Sequence, residues 1–197
     1  MKKWLIPLII IAVIAFAGYR MAVGFYNTGV QLEEDAKTSW SNVESAYQRR
    51  ADLIPNLVST VKGYAAHEKE TLEGVIKARA EATKTTIDPT NLTPESMAAF
   101  QKAQQGLSGA LSRLLVTVEK YPELKANQNF LELQSQLEGT ENRINVERNR
   151  FNKDVNVFSK HIKKFPNNIL NGFIGNFEEM SRFEATAGSD VAPIVEF

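Results

Sequence analysis

The 197-residue sequence has no cysteine and only two histidines. The absence of cysteine excludes disulfides, thiol catalysis, cysteine-ligated metals and the acylated cysteine of a lipoprotein. His67-Glu68 lacks the second histidine of a zinc-protease motif, and there is no G-x-S-x-G, phosphate loop or G-x-G-x-x-G. We therefore expect no enzymatic activity, no metal and no cofactor.

The chain also lacks an excess of charge of either sign, with 23 basic and 23 acidic residues. Lys2, Lys3 and Arg20 are the only charged residues among the first 32. The remainder therefore carries a net charge of about −3, which does not favour nucleic-acid binding.

Charge is almost absent from the N-terminal segment between Trp4 and Tyr26, where Arg20 is the one charged residue. A helix over these residues is roughly 34 Å long, enough for a hydrocarbon core of about 30 Å. Arg20 lies near one end and can snorkel to the headgroups, and Trp4 and Tyr26 lie where interfacial aromatics belong. The pattern predicts a transmembrane anchor over residues 1–26, with lipid contact through residues 4–26.

A cleaved signal peptide is the alternative, because Lys2-Lys3 precedes the apolar run and Ala15-Phe16-Ala17 resembles a cleavage site. The apolar run continues past Ala17 into a helical pattern, which favours the anchor. In either case Lys2 and Lys3 keep the N-terminus inside. We expect a single-pass protein of the bacterial cytoplasmic membrane, with its N-terminus cytoplasmic and its body exported to the periplasm.

Prolines are absent between Pro122 and Pro166, so one helix of about ten turns can span that interval. Apolar residues recur every seven positions through it, which places them on one helix face that needs partner helices. They are Phe130, Leu137, Ile144, Phe151, Phe158 and Phe165.

Three further segments supply partners for that helix. A heptad pattern predicts a helix from Asn27 to about Thr85, kinked at Pro55. Thr93 and Pro94 predict the start of another, which ends near Tyr121. A shorter apolar segment follows Pro166. We expect an all-α protein in which residues 27–186 form an antiparallel four-helix bundle and residues 187–197 an extended tail.

Several charged residues lie on or beside the apolar faces of the predicted helices. They are Arg50, Glu68, Arg79, Glu141 and Arg148. Buried charges need partners, so we expect cross-helix ion pairs or hydrogen bonds, with Arg50 and Glu68 as a hypothetical pair. Such residues form either a polar layer that fixes helix register or a ligand-binding and switching network.

Two signatures in the chain resemble the LemA family. The first runs from Trp40 through Tyr47-Gln48-Arg49-Arg50-Ala51-Asp52-Leu53-Ile54-Pro55-Asn56-Leu57 to His67-Glu68, and the second begins at Tyr121-Pro122-Glu123-Leu124 and continues through Phe151-Asn152 to Phe165-Pro166. Asn145-Val146-Glu147 and Ser159 depart from the family pattern. The resemblance implies an N-terminal membrane helix, an antiparallel four-helix domain and no established activity.

These features predict a non-catalytic scaffold or adaptor, with a membrane-protein partner or self-association. Two alternatives are a sensory domain that binds a small ligand between helices and a self-assembling protein that remodels membranes. A packed bundle core favours the scaffold, and a cavity near the charged residues favours the sensor. The apolar segment after Pro166 has three possible roles: closing the core, lying on a membrane or docking a partner.

Overall fold

The computed structural model describes residues 4–184, which contain helices and no strand. The helices are α1 (Leu5–Tyr64), α2 (Lys69–Lys84), α3 (Pro94–Val118), α4 (Pro122–Lys125), α5 (Gln128–Lys163) and α6 (Asn167–Leu170), followed by a π-helical turn (Asn171–Gly175). The all-α prediction is confirmed. The predicted tail, residues 187–197, lies outside the described residues.

Helix α1 runs without a break from the apolar N-terminal segment into the bundle. Its 60 residues correspond to a length of about 90 Å. The side chains from Trp4 to Met21 are exposed, and coverage by the rest of the protein begins at Ala22 and Phe25. This helix is long and apolar enough to cross a membrane, and its most apolar part has no protein packed against it.

The single helix predicted from Asn27 to Thr85 is wrong, because the chain reverses direction between Tyr64 and Lys69. Arg79 on α2 donates to the carbonyl of Ala51 on α1 at 2.7 Å, so the two helices form an antiparallel hairpin. Val61 on α1 and Val75 on α2 are both buried in the hairpin, as they would be on one face of a single continuous helix. The heptad pattern therefore continues through the turn. The fourth bundle helix is therefore α2 and not the segment after Pro166.

Helices α3 and α5 begin at side-chain caps. The predicted start of α3 at Thr93-Pro94 is confirmed, and Thr93 and Ser96 form a reciprocal capping box there. Asn127 accepts from the backbone of Phe130 at 3.0 Å to start α5, which spans 36 residues.

The predicted position of Phe165 on the α5 apolar face is wrong. The helix ends at Lys163, and Phe165 follows it with 79% of its surface exposed. Four of the other five heptad residues are buried, and Leu137 packs against the core with partial burial.

The core consists of two clusters arranged along the bundle. The cluster nearer the α1–α2 turn includes Ile54, Leu57, Leu107 and Leu114. The other cluster is aromatic: Trp40 contacts the rings of Phe100 and Phe151, both at centroid distances of 5.3 Å. Aromatic side chains of this size bury large apolar areas and set the spacing of the helices that carry them.

Residues 177–184, which we call the strap, form neither helix nor strand. The backbone of Phe183 exchanges hydrogen bonds of 2.9 and 3.0 Å with the Asn152 side chain on α5. Ser181 donates to the carbonyl of Leu92 at 2.9 Å. The ring of Phe183 stacks on Trp40 at 5.7 Å. The segment after Pro166 therefore closes the core with a strap and not with a helix.

Candidate functional site

Arg50 brings a charged group into the bundle interior. Its side chain extends from α1 and the residue is only 2% exposed. One terminal nitrogen donates to Ser108 on α3 at 2.9 Å and to Glu141 on α5 at 2.8 Å. The other donates to the side-chain oxygen of Gln104 at 2.8 Å. We call Arg50, Gln104, Ser108 and Glu141 the Arg50 cluster.

The Arg50 cluster joins all four helices of the bundle. The Gln104 amide donates onward to the carbonyl of Ala82 on α2 at 3.3 Å. The guanidinium also lies 5.1 Å from the centre of the Tyr47 ring. The Glu141 side chain is 49% exposed, so water shares in its solvation. Sliding one of the four helices past the others would break at least one of these bonds, as expected of a polar layer that fixes helix register.

The other predicted charged residues lie elsewhere. Glu68 is in the α1–α2 turn and accepts from the Tyr121 hydroxyl at 3.0 Å, so the structure does not bring it to Arg50. Arg79 ties α2 to α1, as described above. Arg148 lies 4.5 Å above the Phe183 ring and holds the strap by a cation–π contact. The charged residues expected to form one network are therefore divided. Arg50 and Glu141 belong to the Arg50 cluster, whereas Glu68, Arg79 and Arg148 each make a separate contact.

Sequence reasoning missed Gln104 and Ser108 as members of this cluster. Gln104 did occur within an otherwise apolar face of α3, between Phe100 and Leu107. A polar residue at a buried position needs a partner, and that was the available signal. Ser108 carried no such signal, because serine is common on exposed helix faces.

A small cavity of about 70 Å³ lies beside the Arg50 cluster, lined by Tyr47, Gln104, Glu44 and residues of α2. Burial raises the pKa of the Glu44 carboxyl. A space of this size can hold about one or two water molecules. Small-molecule binding sites usually have volumes of about 300 Å³ or more.

Metal binding finds no support within residues 4–184, where no three His, Cys, Asp or Glu side chains converge. His161 is buried between α5 and α1. One ring nitrogen lies 3.0 Å from the carbonyl oxygen of Phe25, and Asn167 approaches the other at 3.4 Å. These contacts give His161 a structural role at the membrane-proximal end of the bundle.

Comparison with known proteins decides the family. The model of the LemA family matches residues 39–197, which include α2 to α6 and most of the bundle part of α1. The chain belongs to the LemA family. The resemblance found in the two sequence signatures is thereby confirmed.

Individual relatives are more distant. Magnetosome protein MamQ 2 of Paramagnetospirillum magneticum is 27% identical over 187 residues, which cover 86% of this chain and 68% of the relative. Magnetosome protein MamQ of Magnetospirillum gryphiswaldense is 28% identical with the same coverage. Protein LemA of Metamycoplasma hominis is 24% identical over 126 residues, or 64% of this chain and 54% of the relative. LemA-family membership and the apolar helix α1 fit a membrane-associated protein.

Proposed function

We propose that this LemA-family protein is a non-catalytic scaffold or adaptor, which α1 anchors in the membrane and whose bundle presents helical surfaces to other membrane proteins. The observation that carries this proposal is the filled bundle interior. Side chains occupy the core, and both terminal nitrogens of Arg50 donate to protein oxygens, whereas its buried Nε has no hydrogen-bond partner among the described residues. The cavity beside them measures about 70 Å³. The outer surface is then the part of the bundle with room for a partner.

The continuity of α1 supports an anchor over a cleaved signal peptide. Cleavage near Ala17 would cut inside a helix that continues to Tyr64 without interruption. The exposed segment from Trp4 to Met21 corresponds to about 27 Å of helix, close to a hydrocarbon core of about 30 Å. Lys2 and Lys3 favour a cytoplasmic N-terminus, which supports an exported bundle on the other side of the cytoplasmic membrane.

The bundle surface offers apolar side chains that the core does not use. Ile76 on α2, Val116 on α3 and Val146 on α5 each expose more than half of their surface. They lie on different helices, so they sample separate faces of the bundle. Single exposed apolar residues are common on protein surfaces, so each of these three faces is tested separately for a partner.

Site-specific photo-crosslinking in native membranes tests the adaptor function. A photoreactive amino acid replaces Ile76, Val116 or Val146 in the full-length protein, and Ile10 serves as the control within the anchor. We expect the Ile10 position to crosslink to lipid and one bundle face to crosslink reproducibly to one other membrane protein. Crosslinks only between copies of this chain would favour self-association and membrane remodelling. No protein crosslink from any face would refute the adaptor.

The alternative function is a sensory domain that binds a small ligand between the helices. The cavity beside Gln104 and Tyr47 is the place where such a ligand would enter. Its volume requires the helices to separate before anything larger than water could bind. A stabilised thermal transition with one small molecule, abolished by Gln104→Leu, would favour the sensor over the adaptor.

A further inference from the structure

An exposed apolar turn follows α5 and has no role in the core. We call residues 165–175 the C-terminal turn. Four of its large apolar side chains are exposed: Phe165 by 79%, Ile169 by 49%, Phe173 by 82% and Ile174 by 41%. Ile169 and Phe173 are four residues apart along a helical path, so they share a face. A cluster of exposed apolar side chains marks an interaction surface.

The C-terminal turn lies beside α1, at the level where the exposed apolar part of that helix ends. His161, just before the turn, stacks on the Phe25 ring at 5.1 Å. At the end of the turn, a side chain on Gly175 would come within 2.9 Å of the Phe25 ring. Since α1 is exposed up to Met21 and covered from Ala22, the turn is level with the membrane-facing end of the bundle.

Lysines precede this turn and Glu178 and Glu179 follow it, and two of the lysines, Lys160 and Lys164, form no ion pair within the described residues. From Val155 to Phe177 the chain has no acidic residue, and Lys160, Lys163 and Lys164 all lie in that interval. Within the described residues, Lys163 contacts Glu179 of the strap at 2.5 Å. Lysines flanking exposed aromatic and aliphatic side chains form the pattern of an interfacial membrane contact, with the ammonium groups among the headgroups.

We propose that the C-terminal turn inserts Phe165, Ile169 and Phe173 into the membrane interface next to α1. The bundle then has a second point of attachment besides the anchor. One helix alone leaves the bundle free to rotate about its own axis and to tilt. Two attachments fix which face of the bundle points away from the membrane. This inference rests on the proposed anchor, because the membrane must lie at the end of α1 for the turn to reach it.

Spin labels can test the contact, because the natural chain has no cysteine. Single substitutions Phe173→Cys and Ile169→Cys carry a nitroxide in the full-length protein, reconstituted in vesicles of phosphatidylcholine and phosphatidylglycerol. Ile10→Cys reports on the anchor. Val116→Cys, at a position 69% exposed on α3, is the matched control on the bundle. Relaxation by oxygen, which partitions into lipid, is compared with relaxation by a water-soluble nickel complex.

We expect labels replacing Phe173 and Ile169 to relax preferentially with oxygen, as the label replacing Ile10 does, and the label replacing Val116 to relax with nickel. Preference for nickel at the turn, with Ile10 in lipid, would overturn the interfacial contact and leave the anchor intact. Low accessibility to both reagents at the turn would mean that protein covers it, which also overturns the inference. Preference for nickel at Ile10 would instead refute the anchor itself and the contact with it.

Discussion

The partner of the buried guanidinium of Arg50 leads to the sharpest test of the structure. The sequence suggested Glu68, whereas the structure pairs Arg50 with Glu141 at 2.8 Å. Tyr64, the last residue of α1, is fourteen positions after Arg50 and about 21 Å along the helix from it, and Glu68 lies beyond that end. Double-mutant cycles in the free energy of unfolding therefore distinguish the two pairs.

Arg50→Met keeps most of the side-chain volume and removes the charge. The main cost is the oxygen of Gln104, which is buried and loses its donor. A buried acceptor without a partner costs about 1–3 kcal/mol, so we expect Arg50→Met to destabilise the bundle by about 2 kcal/mol. Ser108 and Glu141 are partly exposed, so water replaces their lost bonds and limits their share of that cost.

Glu141→Gln removes the negative charge next to Arg50. Because the Glu141 side chain is 49% exposed, solvent screening reduces its contribution, and we expect a cost of about 1 kcal/mol. In the Arg50→Met background the same change should cost close to nothing, which gives a coupling energy of about 1 kcal/mol. Glu68→Gln should be additive with Arg50→Met to within about 0.3–0.5 kcal/mol, as for other distant pairs.

Urea titration of the full-length protein in detergent micelles, followed by far-ultraviolet circular dichroism, measures these energies. The Tyr121→Phe variant is a matched control, since it removes the hydroxyl that bonds Glu68 at 3.0 Å and leaves Arg50 untouched. Coupling to Glu68 larger than coupling to Glu141 would refute the observed pairing. A neutral Arg50→Met would refute the argument that Gln104 depends on its donor.

Four other changes have expected outcomes. Gly29→Ala should lower the free energy of unfolding by about 1–3 kcal/mol, because the added carbon would overlap the Phe177 ring. Gly24→Ala, whose added carbon meets open space, should not lower it, and urea titration compares the two variants. Phe183→Ala should lower the free energy of unfolding by about 3–5 kcal/mol and expose the strap to trypsin, because the Phe183 ring packs against Trp40, Phe100 and Phe151. Equal rates of digestion of the variant and the natural protein would contradict this. Burial raises the pKa of Glu44, so the folded state holds that proton more tightly than the unfolded state does, and the free energy of unfolding falls as the pH rises through the raised pKa. Glu44→Gln should therefore be more stable than the natural protein at pH 7. Thermal melts at a series of pH values should show that this difference is lost below about pH 4. The hydrogen bond to Glu68 raises the pKa of the Tyr121 hydroxyl. Glu68→Gln should therefore lower the Tyr121 pKa, which a carbon-13 titration of the tyrosine rings measures, and an unchanged pKa would contradict the contact.

The sequence predicted the elements whose start is set by local chemistry. Thr93 before Pro94 predicts the N-cap of α3, and the interval without proline after Pro122 predicts the length of α5. These signals are local, because a cap or a proline acts on the backbone within one turn. The apolar N-terminal segment is equally local, since its composition alone makes it long enough to span a membrane.

The sequence did not predict where the chain reverses direction. The turn at Ala65–Glu68 contains neither glycine nor proline, and the heptad pattern passes through it because α1 and α2 bury the same face. Tertiary packing decides such a turn. The expected pairing of Arg50 with Glu68 was wrong for the same reason. Because α2 folds back on α1, Glu68 lies in the turn at the end of the bundle, and Gln104 lies beside the guanidinium of Arg50.

The strap shows why the spacing of apolar residues alone could not predict the secondary structure of the segment after Pro166. Phe177, Met180 and Phe183 are spaced by three, as on a helix, yet the backbone there is not helical. Asn152 supplies the hydrogen bonds that a helix would otherwise provide, and Arg148 covers the Phe183 ring. The strap therefore depends on two residues of α5, about thirty positions earlier in the chain. Phe177, where the strap begins, packs against the rings of Phe25 and Tyr26 on α1 at 6.0 and 5.8 Å. The strap therefore also holds the end of the C-terminal turn beside α1, where the proposed membrane contact needs it.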